Sequence, residues 1–322
     1  MSFSEIVGHQ AAVRILQNSL REKRLGVSYL FYGPSGVGKS FVAKQFAKSL
    51  FCELQDGDCC NRCQSCLQAE KLVYPDLHWL DLQEGSQNIK IEQIRQMQEA
   101  ISLRPFQARA KVFIINNCQT LTEEASHCLL KALEEPPLDS VIILITVSLH
   151  LIVPTIVSRC QKVKFSTIKR QELKMLLEKD YSLDPKESRL LSYYLDGRIG
   201  DALSLAQSGF LGERDSILGT YINARDTNGF EELFREKAMA EQVLSVFMSW
   251  FRDVLLVKLL LPQESLINQD RVVEIEKEAG KYTSAQLFLI LDTLAKGFEY
   301  LKNNVNMRLL ADSIMVNLTW KN

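Results

Sequence analysis

The string GPSGVGKS, from Gly33 to Ser40, matches G-x-x-x-x-G-K-[ST]. This spacing lets a glycine-rich turn lay its backbone N–H groups around phosphate oxygens. Gly33, Pro34, Ser35, Gly36, Val37 and Gly38 form the turn, Lys39 is placed for the β- and γ-phosphates, and Ser40 for magnesium. A helix beginning here adds positive potential at its N-terminus. The expected ligands are ATP or ADP, with Mg²⁺. Hydrolysis asks for more, namely acids on a neighbouring strand that hold the metal and polarise a water. The buried run of KVFIINNCQTL ends instead in Asn116 and Asn117. A carboxamide carries no charge for the metal and has no titration near neutrality with which to act as a base.

A second cluster has different chemistry. CELQDGDCCNRCQSC holds Cys52, Cys59, Cys60, Cys63 and Cys66. Cys60, Cys63 and Cys66 are each separated by two residues, so one tight knuckle can present several thiolates to a tetrahedral ion. With Cys52 as fourth ligand, the set reads as a closed, structural zinc site. Cys59 is the spare and an alternative to Cys60. An iron–sulfur cluster uses similar spacings, but nothing else in the chain points to electron transfer. Cys118, Cys128 and Cys160 read as small core residues.

These residues need elements to position them. SYLFYG, LHWLDL, KVFIIN and SVIILIT read as strands. Between them, KSFVAKQFAKSLF, IKIEQIRQMQEAISL and EEASHCLLKALEE carry apolar residues at helical spacing, as with Ile91, Ile94, Met97 and Ile101. Such alternation implies a mostly parallel sheet covered on both faces, and the all-apolar strands fit that burial. Glu123 and Glu124 fall at a helix start, where they favour the helix dipole. Pro136 and Pro137 stop the same helix after Glu134 and Glu135, which read as solvated or interfacial. Beyond Phe165 the strand signals fade. Short helices follow at KRQELKMLLEKD and PKESRLLSYYL, Gly197 and Gly200 punctuate a turn before DALSLAQ, and from about Gly209 the pattern reads as all helical. The expected division is 1–165 for an α/β P-loop domain with the zinc module at about 52–66, 166–208 for a small helical domain, and 209–322 for a final helical one.

Composition narrows the class. The chain has 322 residues, 46% hydrophobic and 24% charged, with a formal net charge of -1. That balance gives no strong general field for nucleic acid or an anionic membrane. The N-terminal MSFSEIVGHQ lacks the pattern of a secretory signal, and no apolar run is long enough to span a bilayer. With cysteines clustered as for metal, the expected compartment is the cytoplasm.

Taken with two further strings, LLKALEEPP (Leu129 to Pro137) and PTIVSRCQ (Pro154 to Gln161), the P-loop and the cysteine cluster resemble subunits of the bacterial replicative clamp loader, an AAA+ family. The resemblance runs in order along the chain, to NVNMRLLADSIMVNL near its end. Within the family it looks most like the delta-prime type, related to the gamma/tau motor subunits of DNA polymerase III. The resemblance implies an AAA+ module with a zinc insertion, then a helical lid, then an all-α collar that joins subunits into an open ring. It implies partners: gamma/tau-type motor subunits, a delta subunit, the sliding clamp and primed DNA. Arg159 in SRC matches the family's arginine finger, and Thr146 falls at its first nucleotide sensor. Motor subunits place an arginine directly before DAL, where this chain has Gly200, with Arg198 two residues earlier. Asn116 and Asn117 align with the family's Asp and Glu.

The resulting expectation is a clamp-loader subunit that keeps nucleotide binding, has lost hydrolysis, and offers Arg159 to a neighbour. An active gamma-type motor is the alternative, opposed by Asn116, Asn117 and Gly200. A zinc-bearing nucleic-acid module is the alternative of another class, opposed by the near-neutral charge and the lack of a basic, aromatic stripe.

Overall fold

The computed structural model describes residues 2–22, 28–54, 57–83, 85–135, 139–223, 233–302 and 306–318. It divides into two units, one of residues 1–172 with 197–201, the other of residues 173–196 with 202–322.

The first unit is built on a parallel sheet of five strands, β1 (Ser28–Tyr32), β2 (Leu77–Leu80), β3 (Lys111–Ile115), β4 (Ser140–Thr146) and β5 (Gln161–Lys164), in the order β2-β3-β4-β1-β5. Side chains alternate across a pleated strand, so each central strand feeds two cores. Tyr29 and Phe31 of β1, Val112 and Ile114 of β3, and Val141, Ile143 and Ile145 of β4 pack on one face. There they meet α1 (Gln10–Arg21) and α2 (Lys39–Phe51) through Leu16, Val42, Phe46 and Ala47. Leu30, Phe113, Ile115, Ile142 and Leu144 point the other way. They meet α4 (Ile91–Ser102) and α5 (Glu123–Glu134) through Ile94, Met97, Ala125 and Leu129. Burial on both sides is why these strands read as unbroken apolar runs.

Two elements of this unit are short and were not signalled by periodicity. α3 (Gln64–Glu70) follows the cysteine knuckle, and α6 (Pro154–Arg159) precedes β5. β5 itself buries only Val163 and pairs with β1 along Tyr29–Tyr32. Because every pairing is parallel, the residues after β1, β2 and β3 and at the end of β4 collect along one edge of the sheet. Open α/β sheets bind their ligands at this edge.

The second unit is helical. It contains most of α7 (Arg170–Asp180), α8 (Pro185–Tyr194), the larger part of α9 (Ile199–Ser208), and the helices Phe210–Asn223, Lys237–Lys258, Val272–Ala279, Ser284–Lys302 and Met307–Leu318. Its centre is Lys237–Lys258, whose Val243, Phe247, Trp250, Phe251 and Val254 are all buried. Phe251 meets the Tyr282 ring edge-on at 5.9 Å. Among the described residues no helix is long and apolar enough to cross a membrane.

Candidate functional site

The P-loop leaves β1 at Gly33 and enters α2 at Lys39. Gly36 and Gly38 adopt positive φ, at 71° and 97°, a region that glycine enters without steric cost. Lys39 is buried and curls back over its own loop. Its ammonium donates to the carbonyls of Gly33, at 2.7 Å, and Pro34, at 2.6 Å. Burial pulls its pKa down to about 8, against the opposing charge of Asp201. It therefore stays a cation at neutral pH, held where a phosphate can exchange with the two carbonyls. His9 supports the loop from beneath through Nε2 and the Val37 carbonyl, 2.7 Å apart. Since that carbonyl only accepts, Nε2 carries the proton, and burial lowers the ring's pKa.

The first residues of α9 lie directly on this loop. The Gly200 amide donates to the Gly36 carbonyl at 2.7 Å, and a Cβ on Gly200 would sit 3.0 Å from that oxygen. A Cβ on Gly36 would lie 2.3 Å from the Asp201 carboxylate. The backbone approach thus uses glycine on both sides. Arg198 pairs with Asp201 at 3.1 Å. The position that the clamp-loader resemblance gives to an arginine is held here by a residue with no side chain.

Behind Ser40 lies a chain of polar side chains. Ser40 Oγ donates to Asn116 Oδ1 at 3.0 Å, and Asn116 Nδ2 donates to Asp81 Oδ2 at 2.7 Å. Asn117 Nδ2 donates to the other oxygen, Asp81 Oδ1, at 3.1 Å, and the Leu82 amide to the same atom at 2.9 Å. Burial works against the charge on Asp81, but these donors outweigh it and hold its pKa below the usual carboxylate value. Asp81 closes β2, and β2 lies beside β3 in the sheet. Sequence reasoning missed it, because only the strand order places residue 81 against residues 116 and 117. Its one signal was an acid directly after the strand LHWL. Glu123 and Glu124 start α5, whose N-cap Thr122 accepts from the Ala125 amide.

Thr146, at the end of β4, is buried, and its hydroxyl is engaged locally, donating to the Ser148 carbonyl at 3.1 Å. Arg159 ends α6, with its side chain 36% exposed. Its guanidinium donates to the Thr155 carbonyl at 2.9 Å and pairs with Glu134 of α5 at 2.7 Å. Glu134 thus has a partner, and the finger candidate is held in one posture by two elements. Pro136 and Pro137 lie outside the described residues; α5 ends at Glu134.

The cysteine knuckle joins α2 to α3. The Sγ atoms of Cys52, Cys60, Cys63 and Cys66 lie within 4.8 Å of one another, with Cys60 and Cys66 4.0 Å apart. A tetrahedral ion with Zn–S bonds of about 2.3 Å separates its sulfurs by about 3.8 Å. The four thiols therefore fit zinc with small adjustments. Backbone N–H groups of Arg62 and Cys63 bring the Cys60 thiol down to about 6, so the thiolate a metal needs is favoured there. Cys59 faces away. Its Sγ is 3.4 Å from Asn61 Oδ1 and 3.7 Å from Gln45 Oε1, and burial raises its pKa. Of the two neighbouring cysteines, Cys60 is the one in the cluster.

Comparison with known proteins supplies an independent line. A family model for "DNA polymerase III, delta subunit" matches residues 8–169, and one for the C-terminal part of that subunit matches residues 225–319. The DNA polymerase III subunit delta' of Bacillus subtilis is 30% identical over 317 residues, covering 95% of this chain and 94% of that one. Subunit tau of the same organism is 29% identical over 346 residues, covering 98% of this chain and 61% of that one. Among solved structures, a gamma subunit-related protein of Thermotoga maritima aligns with a TM-score of 0.46 and 19% identity, over 95% of this chain and 98% of its own.

Proposed function

The chain belongs to the DNA polymerase III clamp-loader family, with its AAA+ fold, and on that premise we propose that it serves as a delta-prime-type subunit that binds nucleotide without hydrolysing it and lends Arg159 to a neighbour's ATP. The observation that carries this reading is the partner of the P-loop serine. Ser40 meets a carboxamide, Asn116, where a hydrolase needs a metal-holding acid. The next residue, Asn117, is bonded to Asp81 through its amide and cannot act as a base. The loop itself is fit for phosphate, with Lys39 charged and the glycine turns in place. Gly200 removes a further cation from this site.

In this reading Arg159 acts in trans. A guanidinium fixed at the end of a short helix can neutralise charge that develops on a γ-phosphate across a subunit boundary. Its bond to Glu134 keeps it poised before assembly. Residues 1–165 are the AAA+ module, 166–208 the lid, and 209–322 the collar through which it joins gamma/tau-type motor subunits and a delta subunit. The assembly places the sliding clamp on primed DNA in the cytoplasm. Cys52, Cys60, Cys63 and Cys66 hold a structural zinc. The similarity to a tau subunit, over 98% of this chain and 61% of that one, favours a second reading, an active motor; the carboxamides at residues 116 and 117 oppose it.

Reconstitution tests the assignment. Purified gamma-type and delta-type subunits are mixed with clamp and primed DNA, with and without this chain. Clamp loading should require the chain, which should elute in one complex with the other subunits. Loading at the same rate without it, or no stable complex, would refute the role.

A further inference from the structure

Asn116 is a neutral residue in a place where charge is useful, yet a carboxylate stands directly behind it. An asparagine amide can point either end at Ser40. With Nδ2 forward it would occupy a lone pair of the serine hydroxyl and aim the positive end of its dipole at an approaching cation. With Oδ1 forward it accepts the hydroxyl hydrogen, and the Ser40 lone pairs stay open. Asp81 decides between the two. Its Oδ2 accepts from Asn116 Nδ2 at 2.7 Å, so Oδ1 must face Ser40, where it stands 3.0 Å from Oγ. Asp81 is itself fixed, through Oδ1, by Asn117 Nδ2 and the Leu82 amide. Asn117 thus has a role unrelated to polarising water.

The geometry points to Asp81 as the positioning residue of a magnesium site at this P-loop: it orients Asn116 and supplies, from the adjacent strand, the negative charge that Asn116 lacks. The inference rests on the reading that this P-loop binds nucleotide. The donors present fit a hard cation, since Ser40 offers an oxygen whose hydrogen is already turned away. A magnesium ion held at Ser40 would supply positive charge to a bound nucleotide's phosphates. The residues of this chain hold it without offering a base, so the site is one of retention. The carboxylate here stands just past the end of β2, behind Asn116, and acts on the metal through that amide.

The test is equilibrium binding of a fluorescent ADP to the full chain, once in Mg²⁺ and once in EDTA. The ratio of the two affinities reads the metal's contribution and is insensitive to general damage to the pocket. The wild type should bind more tightly in Mg²⁺. Asp81→Asn should lower the ratio by about tenfold, the lower end of what outer-shell partners contribute to metal sites. The exchange Asp81→Asn/Asn116→Asp returns a carboxylate to the pair one strand over and should restore the ratio. An equal ratio in wild type and Asp81→Asn, a wild-type ratio near one, or an exchange that restores nothing would overturn the inference. If Asp81→Asn fails to fold, the exchange variant decides by the same ratio, together with Asn116→Ala, which should lose it. A wild type that binds ADP in neither condition would instead remove the nucleotide reading beneath it.

Discussion

Arg159→Ala is expected to slow ATP hydrolysis at the one site it faces by about 10³–10⁵-fold, the range for an arginine supplied in trans to a nucleotide. Single-turnover hydrolysis by the assembled loader is the measurement, because it separates a slowed site from any faster ones. The fold should survive. The side chain is 36% exposed, and among the described residues its polar contacts are one carbonyl and one half-exposed carboxylate. Arg159→Lys should recover little, since a lysine keeps the charge but not the planar fork. Glu134→Gln separates posture from chemistry. The exposed ion pair is worth at most about 1 kcal/mol, so its loss should slow turnover by no more than about fivefold. Wild-type turnover in a fully assembled Arg159→Ala loader would remove the finger role.

The second large effect concerns the cysteine knuckle. Cys60→Ser/Cys63→Ser should abolish zinc binding and unfold the insertion, while the sheet persists. The reason lies in what the insertion lacks. Its hydrophobic cluster consists of Cys52, Cys59 and Cys66, with Cys60 and Cys63 packed against them, and among the described residues no aliphatic or aromatic side chain joins it. A segment with no core of its own takes its stability from the metal, and apparent binding energies of about 10–16 kcal/mol in zinc-finger peptides show the scale. Elemental analysis should find the metal lost, and limited proteolysis should cut between residues 52 and 66. Cys59→Ser, one residue from the cluster, should keep the zinc. Full metal retention in the double variant would defeat the assignment.

The parts of this site that could be read from sequence are those whose signal is local. β1, β3 and β4 were legible because burial on both faces makes them continuously apolar. The P-loop and the cysteine knuckle were legible because their spacing is itself the chemistry. β5 was not, because QKVK buries Val163 alone and becomes a strand only by pairing with β1. The choice between Cys59 and Cys60 also needed coordinates, since both lie at short spacing and only the fold turns one thiol toward Gln45. Arg159 and Glu134 are 25 residues apart, and their pairing depends on α6 packing against α5. Asp81 is the most instructive case. The missing acids at residues 116 and 117 were visible at once, but the carboxylate that answers them stands just past the end of another strand, and only the order β2-β3 brings them together.

The most direct test of the whole account is steady-state ATP hydrolysis measured side by side for this chain alone, for the motor subunits alone, and for the two together with clamp and primed DNA. The account predicts no turnover by the chain alone and clear stimulation of the motor subunits when it is added. Turnover by the isolated chain at a motor-like rate would show that Asn116 and Asn117 do not prevent hydrolysis, and would make the chain a motor subunit.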